Sequence, residues 1–300
     1  MTNAMSWVVQ KEEAPMLLRT FLREKKSVSK RLLAAVKFKG GQLEVNGQEV
    51  TVRHLLQPGD TVRMVLPPEY PTLQPEPTPF MIHFEDDHIL VAEKKAGMST
   101  IPSREHPYGS LAQAVLHYYQ EHQIQATFHA VNRLDKGTSG LLLIAKHGYA
   151  HERMSQLQKQ GQLKRCYQAL IQGQLPPTLD VIDAPIGRQD TSIITREVRA
   201  DGKCARTHVK TGASSPDYSL IELQLETGRT HQIRVHLAYI GYPLVGDELY
   251  GGQPATFAHQ ALHCHKLAFK HPFSGEWLSF QLALPFSWFP YMKGMACTCE

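Results

Sequence analysis

The chain has 300 residues, with 32 Lys and Arg against 28 Asp and Glu. This length suits two domains, and five cysteines without paired CxxC spacing exclude both a disulfide scaffold and a zinc ribbon. The first residues contain no apolar segment like that of a signal peptide, and no apolar run is long enough to cross a membrane as a helix. We therefore expect a cytoplasmic protein without a membrane partner.

Positive charge is concentrated at the start of the chain. Residues 1–65 contain 11 Lys and Arg against 6 Asp and Glu, whereas the other residues contain 21 against 22. This asymmetry indicates a polyanionic partner. A solvated basic helix face would give the same excess, so that alternative stays open at this point.

Residues 1–66 are predicted to form a small module of two helices and a hairpin. The patterns that predict it are an amphipathic helix over 16–24, a helix over 30–36 after the N-cap Ser29, strands at 42–45 and 61–65, an Asn46-Gly47 hairpin turn and a Pro58-Gly59-Asp60 turn. Six prolines then fall within residues 67–79. Proline at this density favours an extended, semi-rigid linker, so we place the domain boundary there and a second domain over 80–300.

The second domain is predicted to alternate strands and helices. Its expected elements are two strands around the acidic turn 85–87, a helix over 110–122 capped by Ser110, a helix over 148–160 ended by Gly161, strands over 165–171 and 221–225, a helix capped by Thr230 and ended by Gly241, and a last strand through Leu278 and Phe280.

The segment 132–140 is the most informative part of the chain. It is a polar loop that continues into the apolar run 141–145, which is typical of a strand buried on both faces. Arg133 and Lys136 flank Asp135 and favour its ionised form, which suits a nucleophile or an electrostatic stabiliser. A turn-capping aspartate in an ordinary ion pair would give the same pattern.

Two further residues have both a structural and a functional interpretation. Tyr167 shares a strand face with Ala169 and Ile171, as an ordinary core tyrosine would. Arg234 lies beside the apolar stripe of its helix, and a semi-buried arginine needs an anion, for which Asp135 is the natural candidate. A surface helix rich in His and Arg is the alternative.

Arg133-Leu134-Asp135, followed by Thr138-Ser139-Gly140 and an apolar run, resembles the signature loop of the RluA-type pseudouridine synthases. The segment 226–237 and the strand containing Tyr167 resemble other motifs of that family. The resemblance implies an α+β fold, with a mixed, mostly antiparallel central sheet, flanking helices and a central cleft. It also implies an isomerase that converts uridine to pseudouridine in RNA without a metal or another cofactor. Because a separate N-terminal module suggests a large structured RNA, we expect ribosomal RNA, with transfer RNA as the alternative substrate, and we expect a monomer.

The resemblance assigns roles by position. Asp135 is the catalytic residue, which attacks C1′ or deprotonates C2′; Arg234 pairs with it, and Tyr167 stacks on the target base. Arg133 enters the space that the flipped base leaves or holds its phosphate, and Asn132, Thr138 and Ser139 belong to the same base-flipping loop. Two residues before Tyr167, Arg165 replaces the family's usual lysine. This change keeps the charge but alters the hydrogen-bond geometry.

The N-terminal segments around Lys30-Arg31, Asn46-Gly47 and Gly59-Asp60 resemble the small RNA-binding module of ribosomal protein S-four. This resemblance implies that Lys30 and Arg31, with Lys25 and Lys26 upstream, contact RNA phosphates. Such contacts give affinity without base specificity.

Other classes of protein fit less well. A glycoside hydrolase needs two carboxylates across a sugar, and only Asp135 has a suitable setting. A kinase needs a Gly-rich loop and an Asp-Phe-Gly metal site, which the sequence lacks. A non-catalytic RNA-binding protein stays open, although it leaves the combination of Asp135, Tyr167 and Arg234 unexplained.

Overall fold

The computed structural model describes residues 4–297, so the predicted domain ends at residues 1 and 300 lie outside that range. The elements up to residue 66 are β1 (Ala4–Val8), a 3-10 turn (Lys11–Glu13), β2 (Met16–Leu17), α1 (Leu18–Thr20) continued by a π-helical turn (Phe21–Lys25), α2 (Lys30–Phe38), β3 (Gln42–Val45), β4 (Gln48–Glu49), β5 (Leu55–Leu56) and β6 (Thr61–Val65). Four of these strands form an antiparallel sheet in the order β1-β6-β3-β4.

The predicted helix α2 and the predicted hairpin turn are confirmed. The Leu32 amide donates to the Ser29 hydroxyl at 3.0 Å, which caps α2. Asn46 and Gly47 have φ values of 53° and 79°, as a type I′ turn requires. The helix predicted over 16–24 begins only at residue 18, because Met16 and Leu17 pair as a strand with β5. Strand β1 was not predicted, since only one of its residues is buried.

Residues 81–297 contain the remaining elements. They are β7 (Met81–Glu85), β8 (Ile89–Lys94), α3 (Leu111–Glu121), β9 (His129–Ala130), β10 (Ser139–Ala145), α4 (Gly148–Lys159), β11 (Lys164–Gln172), β12 (Val181–Asp183), β13 (Ile186–Arg188), β14 (Arg196–Val198), β15 (Arg206–Ser214), β16 (Tyr218–Leu225), α5 (Gln232–Tyr239), a 3-10 turn (Glu248–Tyr250), β17 (Leu262–Lys270), β18 (Trp277–Gln281), a 3-10 turn (Phe286–Trp288), α6 (Phe289–Met292) and β19 (Ala296–Cys297).

Eleven of these strands form one large sheet. Its main path is β12-β15-β16-β11-β17-β10-β8-β7, with β18, β19 and β9 attached beside β17, β15 and β10. Within residues 4–297 the one parallel pair is β10 with β17, and the other pairs are antiparallel. The predicted fold class, a mixed and mostly antiparallel sheet with flanking helices, is therefore confirmed.

The centre of this sheet carries the loop of Asp135. Residues Leu141–Ala145 of β10 are fully buried between β8 and β17. Gly140 has a φ of 113°, and a Cβ there would lie 2.3 Å from the carbonyl oxygen of Cys264. A side chain at this position would therefore push β10 away from β17. Glycine lets β10 pair closely with β17 directly after the Asp135 loop, so the loop is attached at the middle of the sheet.

Residues 67–79 form no helix or strand, and they are hydrogen-bonded to residues 127–148. The Glu69 carboxylate accepts hydrogen bonds from the Gly148 amide (2.8 Å) and the Thr127 hydroxyl (3.0 Å), and it pairs with His129 at 2.6 Å. Burial opposes ionisation of Glu69, but these bonds outweigh it and lower its pKa to about 2. The first 66 residues also contact α4 directly, since the Tyr149 hydroxyl donates to the Lys26 carbonyl at 2.6 Å. No helix within residues 4–297 is long and apolar enough to cross a membrane.

Candidate active site

Asp135 lies in the loop between β9 and β10, at a cleft of about 650 Å³. Its side chain is 28% exposed, so the carboxylate is accessible from the cleft. The loop is held from behind: the Thr138 amide donates to the Asp135 carbonyl at 3.0 Å, and the Thr100 hydroxyl donates to the Leu134 carbonyl at 2.9 Å. These bonds fix the backbone that carries the carboxylate.

Lys94, at the end of β8, supports the same loop. It is fully buried, and its Nζ donates to the carbonyl oxygens of Met98 (2.7 Å), Lys95 (3.1 Å) and Lys136 (3.1 Å). Burial lowers the pKa of Lys94 to about 7, although the nearby charge of Asp135 acts in the opposite direction. Sequence reasoning missed this residue, because a lysine after a buried strand is usually a solvated strand end.

Arg234 of α5 connects two carboxylates. Its Nη1 lies 3.6 Å from Asp135 Oδ2, while its Nε and Nη2 donate to the two oxygens of Asp247 at 2.8 and 2.7 Å. Arg234 is 8% exposed and Asp247 is 2% exposed. The predicted contact with Asp135 is present, and the shorter, bidentate pair with Asp247 was not predicted. Asp247 lies in a loop after α5, and no sequence pattern identified it as the partner of Arg234.

The start of α5 also differs from its prediction. Thr230 is not the cap: His231 is, at a left-handed φ of 57°. No side chain caps the helix there; the Gln232 oxygen instead holds the preceding turn, accepting from the Thr227 hydroxyl (2.8 Å) and the Arg229 amide (2.9 Å). The Tyr250 ring lies 4.9 Å from the Arg234 guanidinium. Arg234 is therefore fixed by a bidentate ion pair and an aromatic face.

Tyr167 lines the cleft from strand β11 and is 4% exposed. Burial raises its pKa well above the ordinary value, with a further contribution from the neighbouring Cys264 thiol, to which it is hydrogen-bonded. The phenol is therefore neutral at physiological pH.

Arg165 lies two residues before Tyr167, on the same face of β11. It lines the cleft, is 5% exposed and has a buried Nε without a hydrogen-bond partner. Among residues 4–297 no carboxylate lies within ion-pair distance of its guanidinium. Nη1 would lie only 3.1 Å from a Cβ on Gly228, so the guanidinium reaches the loop that precedes α5.

The base-flipping residues predicted from the loop fall into two groups. Arg133 is exposed and lines the cleft with Asp135. By contrast, the Asn132 oxygen accepts from the Leu143 amide (2.8 Å), Gln260 donates to the Thr138 hydroxyl (3.1 Å), and Ser139 is hydrogen-bonded to His263 (2.8 Å). These three side chains are bonded within the protein, so the loop presents Arg133 and Asp135 to the cleft.

The predicted phosphate-binding residues of the N-terminal part differ in how accessible their charges are. Lys25, Lys30 and Arg31 are exposed. Lys26 pairs with Glu13 at 2.9 Å and lies over the Phe21 ring at 4.7 Å. Lys26 is therefore less available to a ligand than the other three.

A second cavity of about 640 Å³ adjoins the cleft and shares Gly228, Arg229 and Thr230 with it. Its lining includes Arg188, Arg196, Arg199, Lys203 and Arg229. Within residues 4–297 no group of three or more His, Cys, Asp and Glu side chains is arranged to hold a metal ion.

Comparison with known proteins gives consistent matches. Residues 88–239 match the profile of the RNA pseudouridylate synthase family. The chain is 46% identical over 269 residues, 89% of its length and 95% of the relative's, to the Bacillus subtilis protein "Uncharacterized RNA pseudouridine synthase YjbO". It is 34% identical over 261 residues, 82% of its length and 80% of the relative's, to "Ribosomal large subunit pseudouridine synthase D" of Vibrio parahaemolyticus.

The fold also has a counterpart among solved structures. The structure of "Human RNA Pseudouridylate Synthase Domain Containing 1" superposes with a TM-score of 0.57 and 24% identity. The alignment covers 70% of this chain and 86% of the human one. At this identity the likeness concerns the fold alone.

Proposed function

The chain belongs to the RluA-type family of RNA pseudouridine synthases, and from that premise we propose that it isomerises a uridine of ribosomal RNA with Asp135 as its catalytic carboxylate. The observation that carries this proposal is the position of Asp135. It is the sole carboxylate lining the described cleft, where it lies among four cations and contacts a buried arginine. The relatives named as ribosomal large subunit synthases support the choice of ribosomal RNA.

The reaction breaks the N1–C1′ bond and forms a C5–C1′ bond. The proton on C5 is lost and a proton is gained at N1, so the product is an isomer of the substrate. Asp135 acts either by attack on C1′ or by removal of the C2′ proton. In both cases the carboxylate must be aimed at the sugar, which the fixed Arg234 beside it favours.

The target uridine has to leave its stack to reach Asp135, at a cost of roughly a few kcal/mol. We assign to Arg133, which is exposed on the same loop, the role of occupying the vacated space or holding the flipped nucleotide's phosphate. Tyr167 contributes a stacking surface, worth about 1–3 kcal/mol per base. Because its phenol is neutral, we assign Tyr167 a positioning contact with the base rather than the role of an ionised base.

We also propose that residues 1–66 form a separate RNA-binding module, joined by the linker 67–79 to a catalytic domain over 80–300. The exposed Lys25, Lys30 and Arg31 would contact phosphates, which adds affinity without base specificity.

A pseudouridine map of ribosomal and transfer RNA tests the proposal. The map is compared between cells with the gene, cells without it, and deleted cells carrying wild type or Asp135→Asn. We expect one or a few ribosomal positions to lose pseudouridine on deletion and to regain it with wild type alone. If pseudouridine is lost only from transfer RNA, the substrate is transfer RNA and not ribosomal RNA. If Asp135→Asn restores the pseudouridine, the catalytic role of Asp135 is refuted.

A further inference from the structure

Arg165 has a charge that the described protein does not neutralise. It is 5% exposed, its Nε is buried without a hydrogen-bond partner, and no carboxylate within residues 4–297 pairs with it. Its paired residue on β17 is the apolar Leu267. Charged side chains are almost never buried unless they are paired, so this arginine is unusual.

Two titratable groups that are within the electrostatic influence of Arg165, Cys264 and Tyr167, do not supply the missing charge. Burial raises the pKa of Cys264 to about 12 and raises that of Tyr167 well above its ordinary value. Both groups are therefore neutral at physiological pH, and neither can serve as a counter-ion. The partner of Arg165 must come from outside the free protein.

The place of Arg165 indicates what that partner is. Its side chain lines the same cleft as Asp135, along with the cations Arg133, Lys136 and Arg229, and Asp135 is the sole acid in that lining. The cleft therefore has an excess of positive charge, and its substrate class is RNA. A neutral uracil carbonyl would leave the charge uncompensated, whereas a phosphate compensates it and accepts two parallel bonds from a guanidinium.

We propose that Arg165 is the phosphate anchor of the cleft, binding one phosphate of the substrate RNA next to the target uridine. Its strand neighbour Tyr167 fixes the distance between that phosphate and the flipped base, because the two side chains project from one face of β11 two residues apart. This inference rests on the proposed function for the position of the uridine over Asp135.

The test compares Arg165→Gln and Arg165→Lys with Lys164→Gln. Lys164 is the matched control, since it is exposed and points to the opposite face of the same strand. The probe is a transcript of about thirty nucleotides around the mapped uridine, or an oligouridylate if the map assigns none. We expect Arg165→Gln to weaken binding by roughly ten- to a hundredfold. It should also lower the slope of log affinity against log salt by about 0.7–0.9, the value for one phosphate contact.

The thermal midpoint of the free protein separates this role from a structural one. Removing an unpaired buried charge should leave the midpoint of Arg165→Gln unchanged or raise it, whereas loss of a structural contact would lower it. Arg165→Lys should keep most of the salt slope, and Lys164→Gln should change neither property. A lower midpoint for Arg165→Gln, or an unchanged salt slope, would overturn the proposal.

Methylphosphonates, placed one at a time along the transcript, identify the phosphate. We expect wild type to lose affinity at one position beside the uridine and Arg165→Gln to lose nothing further there. Equal losses in both proteins at every position would refute the anchor. These are binding measurements, so they remain valid even if Asp135→Asn proves active and the proposed catalytic role fails.

Discussion

Two buried arginines lie beside the same cleft, but only one of them has a carboxylate partner within the described residues. Arg234 is 8% exposed and makes two short bonds to Asp247, with the ring of Tyr250 beside it. Arg165 is 5% exposed and makes no ion pair with any described residue. Burial is therefore similar, and the difference lies in the counter-charge.

This difference distinguishes a fixed part of the site from a part that needs a ligand. Arg234 is satisfied before RNA binds, so it can orient Asp135 without reorganisation during the reaction. Arg165 is satisfied only when an anion enters. The free protein is then less stable than it would be with a neutral residue at position 165, which is a common trade-off at binding sites.

Lys94 is an intermediate case. It is fully buried, and backbone carbonyl oxygens rather than a carboxylate surround its Nζ. Dipoles stabilise a cation less than an anion does, which agrees with the lowering of its pKa to about 7 by burial.

The largest expected effect is on the carboxylate that Arg234 orients. Asp135→Asn should reduce pseudouridine formation by roughly 10³-fold or more, the range for loss of a nucleophile or an essential base. Because Arg234 keeps its two bonds to Asp247 and its contact with Asp135 is long, stability should change by only about 0–1 kcal/mol, the range for a weak ion pair. Single-turnover assays and urea unfolding measure the two quantities. A variant that is both inactive and strongly destabilised would mean that Arg234 depends on Asp135 for its burial.

Asp247→Ala would make Arg234 resemble Arg165. It leaves a buried arginine without its bidentate partner, which should cost roughly 3–5 kcal/mol of unfolding free energy. Activity should fall as well, because the guanidinium is free to move away from Asp135. The neighbouring Glu248→Ala is the control, since Glu248 is exposed and makes no ion pair with Arg234. Equal stability of the two variants would show that the Asp247 pair is dispensable.

The sequence predicted the architecture well where local chemistry determines it. Ser29, Ser110 and the Asn46-Gly47 turn act through bonds within a few residues, so their patterns are sufficient. The apolar run after Gly140 predicted the central strand, because consecutive apolar residues are typical of a strand that is buried on both faces. The predicted α5 cap was wrong because the helix begins one residue later, after His231 in a left-handed conformation that the sequence pattern does not reveal.

The site was predictable only in part, because its partners are far apart in the chain. The family motifs led to Asp135, Arg133, Tyr167 and Arg234 as candidates. Asp247 and Lys94 were missed, because each acts through contacts that only the folded loops create. That Arg165 is unpaired is also invisible in the sequence, where a basic residue in a strand gives no information about its counter-ion.

Lys94→Met tests the intermediate case. The Met98 carbonyl loses its donor, which should cost about 1–3 kcal/mol. The cost should depend on pH. Since the pKa is about 7 in the folded state and 10.5 ordinarily, the unfolded chain binds more protons between these values. The contribution of Lys94 to the wild-type free energy of unfolding therefore rises as the pH increases from 7 towards 10.5. Urea unfolding should show a larger deficit for the variant at pH 10 than at pH 7, and equal deficits would contradict the lowered pKa.

Gly228→Asp would make Arg165 resemble Arg234. A Cβ at position 228 would lie 3.1 Å from Arg165 Nη1, so the new carboxylate can reach the guanidinium after a shift of a few tenths of an ångström in its flexible end. An internal partner should raise the unfolding free energy by about 1–2 kcal/mol, within the range of charged hydrogen bonds. It should also weaken RNA binding, because the anion site is then occupied. Gly228→Asn is the control, since it adds the same volume without the charge. If the two variants bind RNA equally well and unfold at the same urea concentration, the effect is steric, and Arg165 does not need an anion.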